Sequence, residues 1–559
     1  MRVCNPGGCQ WLVAIVLGGL PVAAVRAAAP APAAAVSAAD TSTEELRNTV
    51  INILDALVQK GILTREQATA IVSNAQAKAA ATAKEQATRE AANEVVEKDA
   101  LRVTYVPQSV QDQIAAKVEP TVNKEVTAQV VAQAKAEGWG VPGALPAWVR
   151  GVRFYGDIRV RGEYDSFASN NIKYSYLNPN AVNAAGGIAR AGLNAFYNTT
   201  ENVARLVGRL RFGAVAQLDD DLRLDFRLTS GNANNPVSTN HTLGDYNTRW
   251  NVGVDIAAII WDPQARWWHG DVDLRAGRFE NPFVTNNEMI WDRDLTLEGV
   301  STTFNWTRVT SPQAPRSRWL FVTAGAFPVQ QIDLNTSDKW LYGGQIGTEI
   351  PMGHDTRLLL AGAYYDFANV TGELNAPYSN LLDSTAPLFL QKGNTLFDIR
   401  NDLDPTTNLL ALAGKYRLVT GLAQLELLAG HRNHVLLNAE YVKNVGWNSA
   451  DVQAVTGTYV QARTTGYEVG VIVGRPVVAA WGDWQSGFSY RHLQRDAVMD
   501  AFTDSDFLLG GTDAAGYIFT LEYGLAPSTF ARLRYLSANA IDGPPLGIDV
   551  TQLDVVGRF

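Results

Sequence analysis

VRFYGDIRVRGEYD, residues 152–165, is the stretch from which the fold of this chain can be read. Val152, Phe154, Gly156, Ile158, Val160, Gly162 and Tyr164 form one alternate set. Arg153, Tyr155, Asp157, Arg159, Arg161, Glu163 and Asp165 form the other. A strand sends alternate side chains to opposite faces, so one face is apolar and the other carries dense charge of both signs. A barrel strand in lipid requires this division, with hydrocarbon outside and water inside. About 10 residues tilted at about 45° cross the bilayer core, and the stretch is long enough.

The pattern recurs downstream. Leu206, Leu210 and Phe212 alternate with Arg205, Arg209 and Arg211. Leu222, Leu224, Phe226 and Leu228 alternate with Arg223, Asp225 and Arg227, and Leu274 sits between Asp273 and Arg275. Connections fall into two classes. Those around 219–221, 351–355 and 526–528 are short; 166–201, 231–247, 280–296, 370–407, 446–461 and 496–512 are long. Short periplasmic turns should alternate with long outer loops. Counting every candidate strand gives an odd number. Reading 421–430 as a periplasmic connection restores the alternation and predicts about 16 strands, with about 18 as the alternative. The fold class expected is a transmembrane antiparallel β-barrel preceded by an α-helical, coiled-coil-like segment.

The 559 residues carry 47 basic against 56 acidic side chains, a net charge of -9. That balance argues against a nucleic-acid partner. Beyond the N-terminus no apolar run reaches helix-spanning length, which excludes a multi-helix membrane protein. Residues 1–29 read as a secretory signal: Arg2 gives the charge, 11–25 the apolar core and the alanines near Arg26 the cleavage site. Cys4 and Cys9 both precede that cut, so the mature chain is expected to lack thiols, disulfides and Cys-ligated metal. Residues 30–41 form an Ala/Pro linker. Residues 42–137 read as a helical periplasmic region, opened by the capping boxes Ser42-x-x-Glu45 and Thr64-x-x-Gln67. Its apolar stripes fit packing within an oligomer and fit a solvated spacer equally well. Residues 138–150 are a Gly/Pro linker and 151–559 the barrel. Phe559 ends a last alternating strand, as expected of a barrel-assembly signal.

Seven strings in order resemble the Putative porin family of Gram-negative outer-membrane barrels. They are LDALVQKGILTREQA (54–68), VTYVPQSVQDQIAAKV (103–118) with GWGVPGALPAWV (138–149), YGDIRVRGE (155–163), GRFENPF (277–283) with WDRDLTLEGV (291–300), and DAVMDAFTDSDFLLGGTDAAGY (496–517). Leu508 and Leu509 depart from the family pattern, which has glycines there. The resemblance implies a passive outer-membrane channel and names no solute. It implies outer-membrane lipid and the barrel-assembly machinery as partners, and leaves a homotrimer open.

A diffusion channel needs a wet, charged lumen and a constriction. The inward faces offer Arg153, Asp157, Arg159, Arg161 and Glu163, then Arg205, Arg209 and Arg211. Arg223, Asp225, Arg227, Asp273 and Arg275 continue the series. Opposed rows of these charges would set a transverse field; the alternative is that they neutralise one another and hold the wall together. Lumen arginine points to a mild anion preference. The loop 280–296, with Asn281, Pro282, Phe283, Asp292, Arg293 and Asp294, is the candidate constriction, an ordinary outer loop being the alternative. Asp504, Ser505, Asp506 and Asp513 read as a solvated turn rather than a calcium site. His431 and His434 lack a third ligand, so no metal or other cofactor is expected. Gly-x-Ser-x-Gly is absent, which disfavours an enzyme. A structural anchor with a helical arm is the remaining alternative.

Overall fold

A computed structural model describes residues 151–559 apart from 264–269, 309–316, 334–335, 353–355 and 430–432. The signal, linker and helical readings lie outside the described residues. In chain order the strands are β1 (Val152–Phe167), β2 (Val203–Gln217), β3 (Leu222–Ser230), β4 (His241–Thr242), β5 (Val252–Trp261), β6 (Asp271–Glu280) and β7 (Thr296–Arg308). There follow β8 (Ser317–Gln330), β9 (Lys339–Pro351), β10 (Thr356–Ala368), β11 (Leu396–Asp398), β12 (Leu410–Leu412) and β13 (Tyr416–Ala429). The last are β14 (Asn433–Asn444), β15 (Thr465–Gly474), β16 (Trp484–Leu493), β17 (Ala514–Ala526), β18 (Thr529–Ala540) and β19 (Gly547–Arg558). β4 pairs only two residues with β2, and β11 and β12 form a separate hairpin, leaving 16 strands in the wall.

Each wall strand is antiparallel to its chain neighbour, and β19 returns to pair with β1, closing the cylinder. Every backbone donor and acceptor of the wall can therefore be met within the sheet, which hydrocarbon demands. One end carries the loops 168–202, 231–251, 281–295, 331–338, 369–415, 445–464, 494–513 and 541–546; the other has shorter turns and the start of β1. Two aromatic bands bound the outer wall. Tyr164, Tyr342, Tyr441 and Tyr517 stand exposed near the long-loop end, and Phe154, Phe212, Trp484 and Phe559 near the other. From Phe154 to Tyr164 the chain climbs about 33 Å along the strand, or about 25 Å along the membrane normal at a porin-like tilt, the height of a lipid-facing band.

The stretch 421–430, expected as a connection, is corrected by the structure: through Ala429 it belongs to β13, a full strand paired with β10 and β14. Its polar phase is broken because its inward face mixes leucines with Gln424, which meets the loop's Asn286, and Glu426, which meets His434. Leu418 and Leu422 are buried inside the barrel, as are Phe327 of β8, Leu341 of β9, and Leu359 and Tyr365 of β10. This half of the wall faces a folded loop rather than water.

Candidate functional site

Loop 281–295 turns inward after the fifth wall strand. Phe283 packs edge-on against Phe327 and Tyr365, with centroids 6.0 and 4.9 Å apart, and Trp291 packs on Tyr365 at 5.1 Å. Asn281 shapes the turn by accepting the Phe283 amide at 3.1 Å, with Pro282 between them. The Gln345 side chain pairs with both backbone groups of Val284 at 2.8 Å. Asn286 donates to the carbonyls of Ala423 and Ala439, so the loop reaches β13 and β14. Burying Phe283 and Trp291 stabilises this seat by about 2–3 kcal/mol each, as an upper bound.

The other side of the loop meets the arginine wall. Asp294 binds Arg211 and, at 3.3 Å, Arg209, while its second oxygen accepts the Thr239 hydroxyl at 2.7 Å. Glu288 binds Arg534 at 2.8 Å and lies 3.6 Å from Arg293. Loop 494–513 joins the same network: Asp506 binds Arg161 and Arg534, each at 3.1 Å, and Asp504 binds Arg491 at 3.1 Å and Arg534 at 3.0 Å. The two loops are tied directly, the Asp292 amide to the Phe502 carbonyl at 2.8 Å and the Ser505 amide to the Asp292 carboxylate at 3.1 Å. Asp504 and Asp506 are thus engaged by arginine, which corrects the solvated-turn reading. Asp513 is 4% exposed and accepts the amides of Asp542 and Gly543.

Burial pushes the Asp294 carboxyl up, but Arg211, Arg209 and Arg159 outweigh it and hold the group well below the usual carboxylate range. Glu288 is likewise lowered by Arg293, Arg534 and Arg491 against burial. Asp292 goes the other way: burial and the neighbouring Glu288, Asp294 and Asp504 raise it well above its ordinary value. Asp292 is therefore the loop carboxyl that takes up a proton most readily.

The remaining predicted residues form pairs along the wall. Arg161 is bidentate to Asp554 at 2.7 and 3.2 Å. Glu163 binds Arg205 and Gln552, and Asp157 binds Arg209 at 2.6 Å. Arg227 holds Asp255 and Glu280, both at 2.6 Å. Arg223 reaches Asp262 and Asp273, and Arg275 shares Asp273 at 2.6 Å. Asp225 accepts the Tyr155 hydroxyl at 2.7 Å. Arg153 stands exposed near the short-turn end, away from the loop. Arg491, Arg532, Arg534, Glu288 and Glu468 were not singled out from sequence. Arg532 and Arg534 do alternate with Ala531, Leu533 and Tyr535 in the sequence, though they were not assigned to the lumen from it; nothing in strand spacing points to loop carboxylates. A cavity of about 360 Å³ remains beside the loop, lined by nine arginines and seven carboxylic side chains.

The family model described as Putative porin matches residues 47–559. No curated protein matches. Among solved structures, OprB of Pseudomonas putida is 12% identical, covering 74% of this chain and 95% of that one, with a TM-score of 0.40. OmpF of Salmonella typhi, in complex with daunomycin, is 11% identical over 74% and 100%, with a TM-score of 0.37. The outer-membrane channel DcaP of Acinetobacter baumannii is 10% identical over 73% and 97%, with a TM-score of 0.34.

Proposed function

The chain belongs to the Putative porin family, whose members are outer-membrane channels for passive diffusion of small hydrophilic solutes, and we propose that loop 281–295 is its constriction and that the constriction prefers anions. The observation that carries this reading is the loop's double anchorage, apolar on β8–β10 and β13 and ionic on the arginine wall. The loop reaches from the arginine wall to β13 and β14, and the cavity beside it is lined by more arginines than carboxylates. Such a field lowers the barrier for anions relative to cations. Reversal potentials across planar bilayers in a potassium chloride gradient test the preference, and a cation-selective value overturns it. Deleting 284–293 should raise single-channel conductance; an unchanged value refutes the constriction.

The family reading favours a channel over an enzyme. The family pattern and the signal-like N-terminus support a periplasmic location for residues 42–137. A homotrimer is supported by the small residues Ala324, Ala326, Gly344, Gly362, Gly421 and Ala439, which face outward between the aromatic bands and would let a second barrel approach closely. Chemical crosslinking of the detergent-solubilised protein checks this: a trimer band supports it, and a monomer at all crosslinker concentrations removes it.

A further inference from the structure

Most arginines of the inner wall have a carboxylate partner. Arg159 does not: among the described residues it makes no ion pair, although it is 5% exposed and lines the cavity beside the loop. Among the described residues its one hydrogen bond runs from Nη2 to the side-chain oxygen of Asn240, a neutral group. Its Nε is buried without a hydrogen-bond partner, and so is the Nε of Arg211 on the same cavity. The register places Arg159 directly opposite Arg209 on β2 and Val556 on β19. Its cross-strand neighbours therefore offer it one like charge and one apolar side chain. The surrounding carboxylates are committed elsewhere. Asp294 is taken by Arg209, Arg211 and Thr239; Asp157 by Arg209; both oxygens of Asp554 by Arg161.

A buried guanidinium with an idle N–H and no carboxylate in contact with it is costly unless an anion visits it. We propose that Arg159 anchors an oxyanion-binding site inside the lumen, taking a carboxylate or phosphate group on a small solute. The shared chemistry is two acceptor oxygens on one centre, which a guanidinium edge matches and a halide does not. Asn240 fixes the guanidinium by holding Nη2. Transport would then pass through a saturable stop rather than a plain hole. This inference rests on the anion-preferring constriction proposed above and adds to it a resident site.

The test uses the full-length protein in detergent and reads binding without conduction. Phosphorus NMR line width of inorganic phosphate at constant ionic strength should broaden saturably with the wild-type chain. Arg159→Gln should weaken that binding by about tenfold or more. Arg159→Lys keeps the charge but lacks the planar edge, and should give an intermediate loss; it carries the test if Arg159→Gln does not fold by circular dichroism. Acetate should displace phosphate and chloride at equal concentration should not. Phosphate binding unchanged by either variant, absent from the wild type, or lost equally to chloride overturns the site. An anion-preferring channel that binds no phosphate removes the site and leaves the selectivity. A cation-preferring channel removes the selectivity, and the phosphate titration still decides the site.

Discussion

Replacing Asp294 by Asn isolates the ionic half of the loop's anchorage. The carboxylate takes Arg209 and Arg211 on one oxygen and the amide and hydroxyl of Thr239 on the other. The amide can keep part of the Thr239 pairing, but it loses the charge that both arginines use. Removing one member of a buried, charge-assisted group costs about 3–5 kcal/mol. The apolar seat of Phe283 and the Asn286 bonds to β13 and β14 are untouched, so the loop should stay in the lumen and loosen only over 292–295. The electrical effect is separable. A unit charge about 8 Å from a passing ion is worth about 0.5 kcal/mol in a water-like dielectric, and screening at 0.1 M roughly halves it. Counted once for the anion and once for the cation, the permeability ratio should move about twofold toward anions. Planar-bilayer recordings would show a higher conductance together with that shift in reversal potential. If both values match the wild type, Asp294 does not face the ion path and the constriction reasoning fails.

Three further outcomes follow from the geometry. A Cβ at Gly156 would meet the Arg211 carbonyl and come 2.6 Å from the Phe559 ring, so Gly156→Val should overpack the closing seam by about 1–3 kcal/mol and lower the heat-modifiable, folded fraction on unheated gels; a wild-type fraction contradicts it. Burial raises the Asp500 carboxyl in loop 494–513 to about 7, above its unfolded value, so the folded loop holds its proton from about pH 4 to 7, and stability falls as pH rises through that window. Hydrogen exchange of 494–513, corrected for intrinsic rate, should be slower at pH 5.5 than at pH 8, and Asp500→Asn should remove the difference. Leu508 and Leu509 hold φ of +51° and +65°. Leu508→Gly should relieve about 1 kcal/mol of strain but forfeit about 2–3 kcal/mol of burial, leaving the loop more open to limited proteolysis; greater protection would show that strain outweighs packing there.

The charged half of the barrel was legible because water on one side and lipid on the other impose a period of two. The rest was not, for a local reason. In β13 the sequence LAQLEL places Leu422 inward, where the loop's Val284 packs, and so interrupts the polar phase that Gln424 and Glu426 carry. The same inward burial of Phe327, Leu359 and Tyr365 removed the polar phase from β8 and β10. The loop's place after the fifth strand was legible by counting; its partners were not. Arg161 and Asp506 lie 345 positions apart, and no spacing rule joins a strand arginine to a carboxylate in a distant loop. The leucines at 508 and 509 depart from the family's glycines, yet the backbone there keeps the left-handed form those glycines would adopt freely.

The pairing of β19 with β1 joins residues far apart in the chain, among them Arg161 and Asp554, 393 positions apart. Bringing such distant ends together costs about 5 kcal/mol in chain entropy before any contact forms. The seam is therefore the last ladder to zip, and until then a curled ribbon carries two open edges. Slipping the seam by two residues would set Arg161 against Gln552 or Val556 instead of Asp554. Its ion pair acts as a keyed latch, admitting one alignment after all fifteen other hairpins have committed.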